Sequence, residues 1–214
     1  MLKRNKGTIV LTTCLTALPA VLGLLLWSRL PDTIATHFDA AGVPNGWSSK
    51  TFAVLGLPAF LVAVHLLCTF GTMMDPKRRN IQDKMFRLVL WICPVVSILT
   101  CTCMYLYALG VNVDMARICV IMLAVMFIIV GNYLPKCRQS YTMGIKLPWT
   151  LESEENWNAT HRLGGKVWVV CGIGMLVLSL LGKLSLMWTL AIILAAVAVP
   201  VVYSYVYYCR HREI

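Results

Sequence analysis

The residues of this chain that could carry chemistry are few: four histidines, nine cysteines and nine carboxylates among 214 residues. His65 falls inside an apolar run, Asn132 closes another, and His161 ends a polar segment ahead of a third. Polar and ionisable groups at membrane depth are costly to bury and tend to be functional, which makes these three the candidates for chemistry within a bilayer. They lack the company a catalytic centre needs. No carboxylate pair lies in an apolar run, and no Ser or Cys stands beside an activating base. Cys101-Thr102-Cys103 is compact enough for a soft metal but has no His or carboxylate nearby. The cysteines read instead as small apolar residues between helices. Neither a metal nor a cofactor is expected, and the chain does not read as an enzyme. His37 and Asp39 form a second place where a proton or cation could be handled, although an isolated His with one Asp more often makes structural hydrogen bonds.

The elements that must position these groups are membrane spans. The chain is 59% hydrophobic and 13% charged, where a soluble domain carries about a quarter charged residues. Six apolar runs reach the roughly 20 residues that cross a bilayer as a helix. They lie at 8–28, 51–71, 86–109, 116–134, 164–182 and 186–208. The first, from Thr8 to Trp27, is too long for a signal-peptide core and has no small-x-small cleavage site, so it reads as an uncleaved span. Fifteen Lys and Arg fall on the side that holds both termini and the second and fourth connections, against four on the other side. By the positive-inside rule both termini are cytoplasmic. The net charge of +10 is therefore topogenic rather than a nucleic-acid footprint. The expected fold is an all-α polytopic membrane protein with six spans, a structured first external loop and an interfacial cytoplasmic helix. It forms a single membrane domain over 1–214: a first helical pair over 8–71 with the external loop at 29–50, a central pair over 72–134, and a cytoplasmic segment with the last pair over 135–214.

Local signals refine this layout. Pro19, Pro58, Pro94 and Pro200 stand inside spans, where each removes a helix hydrogen bond. Asp75-Pro76 suits a helix start, with Lys77-Arg78-Arg79 meeting anionic headgroups on the way into the third span. Thr150 suits the cap of a short helix whose positive end lies near Glu152, Glu154 and Glu155, and which places Trp157, His161 and Gly164 on one face. In the first external connection, Pro31, Gly42, Pro44 and Asn45-Gly46 specify bends, while Ile34, Phe38, Val43 and Trp47 give an apolar side. A compact loop resting on helix ends follows.

The fourth connection, 131–165, combines Gly131-Asn132, Pro135-Lys136, Gly144-Ile145-Lys146, Pro148-Trp149-Thr150-Leu151, Trp157 and Thr160-His161-Arg162. In this it resembles the signature of SdpI-type bacterial immunity proteins. Leu30-Pro31, Ile34, His37-Phe38, Gly42, Pro44 and Trp47 resemble a membrane-associated domain of unknown function that often precedes that signature. The family pattern usually reads Asn where Ser140 stands, Arg where Lys146 stands and Thr where Leu147 stands. A Lys at 146 cannot make the bidentate fork of an Arg.

The resemblance implies a protein of the bacterial cytoplasmic membrane that protects its cell from a secreted antibacterial peptide, and that also acts as a receptor holding a small transcriptional repressor at the membrane. Its expected partners are the lipid bilayer, a peptide toxin outside and a repressor inside, with no direct contact to nucleic acid. The candidate binding residues are His37, Phe38 and Trp47 outside, and Asn132, Lys146, Trp149, Trp157, His161 and Arg162 on the cytoplasmic side. A transporter is the alternative, since prolines in spans suit moving helices; a membrane enzyme built on His65, Asn132 and His161 is a further one. Trp149 and Trp157 also fit plain interface anchors.

Overall fold

The computed structural model describes residues 2–183 and 185–211. Arg212, one of the topogenic charges counted above, lies outside the described residues. The described residues form seven α-helices and two β-strands. They are α1 (Leu2–Leu25), β1 (Thr33–Phe38), β2 (Pro44–Ser49), α2 (Leu57–Met73), α3 (Asp83–Ala108), α4 (Met115–Tyr133), α5 (Pro148–Glu152), α6 (Glu154–Leu180) and α7 (Leu186–His211).

Six helical stretches are long and apolar enough to cross a membrane, as the sequence predicts: Arg4–Leu25, Phe52–Met73, Asp83–Ala108, Met115–Lys136, Glu154–Leu180 and Leu186–His211. The largest boundary difference is in the fifth. The separate interfacial helix expected ahead of it, from Thr150 through Gly164, does not form as one helix: only the five-residue α5 stands apart, and the rest belongs to α6. Ser153 caps α6 by accepting the Asn156 N–H at 3.2 Å, and α6 runs unbroken through Gly164-Gly165. Thr150 is not that cap. It lies within the five-residue α5, where its hydroxyl accepts the Leu147 N–H. Asp75-Pro76 likewise starts no α-helix. A 3₁₀ turn at Arg78–Asn80 follows it, and α3 begins afresh at Asp83.

The fold is not all-α. The first connection is an antiparallel β-hairpin. Thr33, Ile34, Thr36 and Phe38 supply β-branched and aromatic residues, which suit a pleated strand. The reversal occurs at Asp39–Gly42, at the Gly42 bend expected from sequence, whereas Asn45-Gly46, expected as a further bend, lies within β2. The Asp39 carboxylate accepts the N–H groups of Ala41 and Val43, both at 2.9 Å, and Gly42 takes a φ of 78° that a side chain would resist.

The described chain forms two compact units: Met1–Met74 with Asp83–Ala116, and Asp75–Gln82 with Arg117–Ile214. In the first, Ile34 of the hairpin joins Leu30, Ala53, Val54, Cys101, Met104 and Tyr105 in one buried cluster. Burial of a side chain the size of Ile34 contributes about 1.5–3 kcal/mol, which ties β1 to α3. Deeper in the helices the contacts turn polar. Ser97 donates to the Thr16 carbonyl at 2.8 Å, and Tyr105 to that of Pro19 at 3.1 Å. The Thr12 hydroxyl lies 3.2 Å from His65 Nε2. Where apolar lipid surrounds the helices, such hydrogen bonds and close packing hold them together. Ahead of Pro58, which has no N–H, the backbone widens into a π turn at Phe52–Gly56.

In the second unit α4 and α6 approach at glycines. A Cβ on Gly165 would stand 2.6 Å from the Gly131 carbonyl, and one on Gly172 would stand 2.7 Å from that of Ala124. Pro200 frees the Ala196 carbonyl four residues earlier, and the Trp168 indole donates to that oxygen at 2.9 Å. The Arg117 guanidinium donates twice to the Ser179 carbonyl, at 3.1 and 3.2 Å, in the last turn of α6.

Candidate functional site

The segment that leaves α4 folds on a framework of buried polar groups. Asp75 is 2% exposed. One of its carboxylate oxygens accepts the Lys77 N–H at 2.7 Å. The other accepts the Tyr141 N–H at 2.9 Å, the Thr142 N–H at 2.8 Å and the Thr142 hydroxyl at 2.7 Å. Burial pulls the carboxyl pKa upward, but the four donors from Thr142, Lys77 and Tyr141 outweigh it and leave the pKa below its ordinary value. Gln139 crosses the same space. Its amide donates to the carbonyls of Thr150 and Leu151 at 3.0 and 2.8 Å, its side-chain oxygen accepts Lys77 Nζ, and its backbone carbonyl accepts from Asn80. Ser140, fully buried, closes a tight turn by accepting the Met143 N–H and donating to the Met143 carbonyl.

Beneath this turn lie Trp157 and His161, one helical turn apart on α6 and stacked with centroids 4.0 Å apart. Trp157 is fully buried and donates to the Cys137 carbonyl at 2.8 Å. It is therefore not an interface anchor, the plainer of the two sequence expectations for it. Burial pushes the neighbouring Cys137 thiol up to about 11, which makes it a packing residue and not a nucleophile. His161 Nε2 accepts the Ile145 N–H at 2.9 Å, so the proton sits on Nδ1, which donates to the Trp157 carbonyl at 2.7 Å. Both ring nitrogens are committed, and the neutral imidazole splints the loop to the helix. Trp149 and Asn156 meet at Ser204 of α7: the indole donates to its hydroxyl at 3.0 Å and the amide to its carbonyl at 3.0 Å. The Trp149 ring also packs edge-on against Tyr205.

Of the candidates expected on the cytoplasmic side, the fold thus gathers Trp149, Trp157 and His161 into one scaffold. Lys146, Arg162 and Asn132 are exposed, with Lys146 Nζ donating to the Thr142 carbonyl at 3.3 Å. Asp75, Gln139, Thr150 and Asn156 do as much to hold the segment as the aromatic residues, and sequence reasoning gave none of them that role. Of these, Asp75 and Thr150 carry a signal in the sequence, which reads each as a helix cap.

The hairpin holds the other three candidates. His37 is exposed and hydrogen-bonds through Nδ1 to the Asn45 side chain. Phe38 packs edge-on against Tyr107 with centroids 5.0 Å apart. Trp47 and Val43, expected on a packed apolar side, face outward at 60% and 55% exposure.

Residues 136–207, the buried framework with α6 and most of α7, match the SdpI/YfhL protein family. The SdpI-type resemblance read from the sequence is borne out. The SdpI/YfhL region is preceded by a match over 14–62, from α1 through the hairpin into α2, to a domain of unknown function, DUF1648. Immunity protein SdpI of Bacillus subtilis (strain 168) is 24% identical over 212 residues, covering 97% of each chain. No solved structure matches the chain. The Ser140, Lys146 and Leu147 departures from the SdpI-type pattern fall at the tight turn, on an exposed side chain and at the residue preceding α5.

Proposed function

We propose that this protein is a multi-pass immunity protein of the bacterial cytoplasmic membrane, giving resistance to a secreted antibacterial peptide. The observation that carries this reading is the likeness to an immunity protein along 97% of both chains, with DUF1648 and SdpI/YfhL regions in the expected order. The asymmetry of Lys and Arg supports both termini in the cytoplasm, the hairpin outside and the Asp75–His161 framework inside. On this reading His37, Phe38 and Trp47 belong to the surface that meets the peptide. Catalysis has no support in the committed ring nitrogens of His161.

The test is expression in a sensitive host challenged with the antibacterial peptide produced by the source genome. Survival should rise at least about tenfold over an empty vector; equal killing overturns the reading.

A second reading concerns the inner face. Lys146 and Arg162 project as exposed cations from a rigid buried scaffold, which suits capture of an acidic surface on a small transcriptional repressor. A repressor from the neighbouring genes that stays soluble while peptide is present would remove this role and leave immunity standing.

A further inference from the structure

The hairpin is a two-stranded sheet, so each strand has an edge without a sheet partner. β1 is the inner strand, with Ile34 and Ala35 buried; β2 has no buried residue and alternates between half-buried and exposed. The register fixes which backbone groups face the open edge. Thr33 stands opposite Ser49, Ile34 opposite Ser48 and Ala35 opposite Trp47, and the Lys50 N–H donates to the Asp32 carbonyl at 2.8 Å. In an antiparallel ladder that bond makes Thr33–Ser49 a non-hydrogen-bonded pair and places the paired bonds on Ile34–Ser48. The N–H and C=O groups of Trp47 and Ser49 therefore point away from β1.

Natural edges are blunted by charge, above all by lysine. This one is not. Asn45-Gly46-Trp47-Ser48-Ser49 carries no charge. The adjacent Lys50 is turned back, with Nζ 3.1 Å from the Asp32 carboxylate, 3.3 Å from the Trp27 carbonyl and 5.3 Å above the Trp27 ring. Trp47, 60% exposed, is the one bulky side chain among small neighbours.

We propose that an extended segment of a secreted peptide adds to β2 as a third strand. Its backbone pairs with Trp47 and Ser49, and one apolar side chain lies beside the Trp47 indole. This rests on the peptide-immunity reading above and names its mode of recognition. Donors and acceptors alternating at strand spacing are complemented by another peptide backbone, and the lack of charge leaves nothing to select an anion or a headgroup.

Ser49→Pro removes one outward N–H, no bond to β1, and the Ser49 hydroxyl that accepts the Phe52 N–H at 3.3 Å; Ser49→Ala, which removes that hydroxyl alone, is the control and should keep parental survival. In the full chain, amide exchange at Ile34 and Lys50 should match the parent and show the hairpin intact. Survival under the peptide challenge should fall about tenfold, by loss of binding rather than of fold. Parental survival with those two amides still protected overturns strand addition while leaving immunity in place.

A second measurement is independent of immunity. An octapeptide of alternating Thr and Val, added to the full chain in phosphatidylcholine nanodiscs, should slow exchange at Trp47 and Ser49 about tenfold. The same peptide N-methylated at alternate residues should not. Equal effects of the two peptides, or none, count against the proposal. Protection without peptide that rises with protein concentration assigns the edge to a second copy, and protection on moving from detergent into nanodiscs assigns it to lipid; either overturns the proposal.

Discussion

Gly144 lies so close to His161 that a Cβ at position 144 would stand 2.4 Å from the ring Nε2. The same glycine has a φ of 107°, outside the range side chains favour. The loop can therefore bring the Ile145 N–H to the imidazole only with glycine at its bend. Gly144→Ala should destabilise the protein by about 2–4 kcal/mol, the usual range for combined backbone strain and a steric clash. Thermal unfolding in detergent reads this directly, and a shift within error of zero would show that the loop yields.

Asp75→Asn should weaken the same framework and change its response to acid. A carboxyl whose folded pKa is depressed stabilises the fold fully well above the unfolded value, near 3.8, and loses that contribution as pH falls through the folded pKa. The parent should thus lose stability below about pH 4 through this group. In Asp75→Asn the amide should be less stable at neutral pH and lack that acid-dependent component. Unfolding midpoints measured from pH 3 to pH 7 compare the two slopes.

Trp168 and Pro200 are coupled through one oxygen. Trp168→Phe keeps the ring but leaves the Ala196 carbonyl with neither the indole nor a helix N–H, at a cost of about 1–2 kcal/mol. Pro200→Ala restores the N–H at position 200. Adding Trp168→Phe to Pro200→Ala should then cost clearly less than in the parent, and a double-mutant cycle measures the difference. Additive losses would mean that the indole acts only by packing.

Lys146→Glu with Arg162→Glu should leave the unfolding midpoint within the spread of ordinary surface substitutions, about 0.5 kcal/mol each. Resistance to peptide should persist while any recruitment of a repressor to the membrane is lost. Membrane fractionation of the repressor checks the second effect, and growth under challenge checks the first.

The spans were legible because a bilayer sets a length that composition reveals at once. The hairpin was harder. Strand β1 has suitable residues, but β2 reads Pro-Asn-Gly-Trp-Ser-Ser, and its Asn45-Gly46 looks more like a turn than the Asp39–Gly42 reversal that forms. Tertiary pairing with β1 overrides the local preference. The face of α6 bearing Trp157, His161 and Gly164 followed from helical spacing, and all three are buried. The partners of His161 did not follow, because a backbone carbonyl or N–H leaves no mark in side-chain chemistry. Asp75 was the hardest case: its donor at Tyr141 is 66 positions away, and its neighbours Lys77, Arg78 and Arg79 look like ordinary topogenic charges.

That separation has a consequence for how the protein is made. The Asp75–Gln82 segment belongs to the second unit, although the helices on either side of it belong to the first. On the ribosome, Asp75 emerges long before the amides of Tyr141 and Thr142 exist. At roughly 5–20 residues per second the wait is about 3–13 seconds, during which the carboxylate must stay in water. The segment can be drawn into its final place only after the fourth span has been synthesised, so translation itself imposes an order: the first unit can assemble early, and the second closes around an acid that the chain set down much earlier.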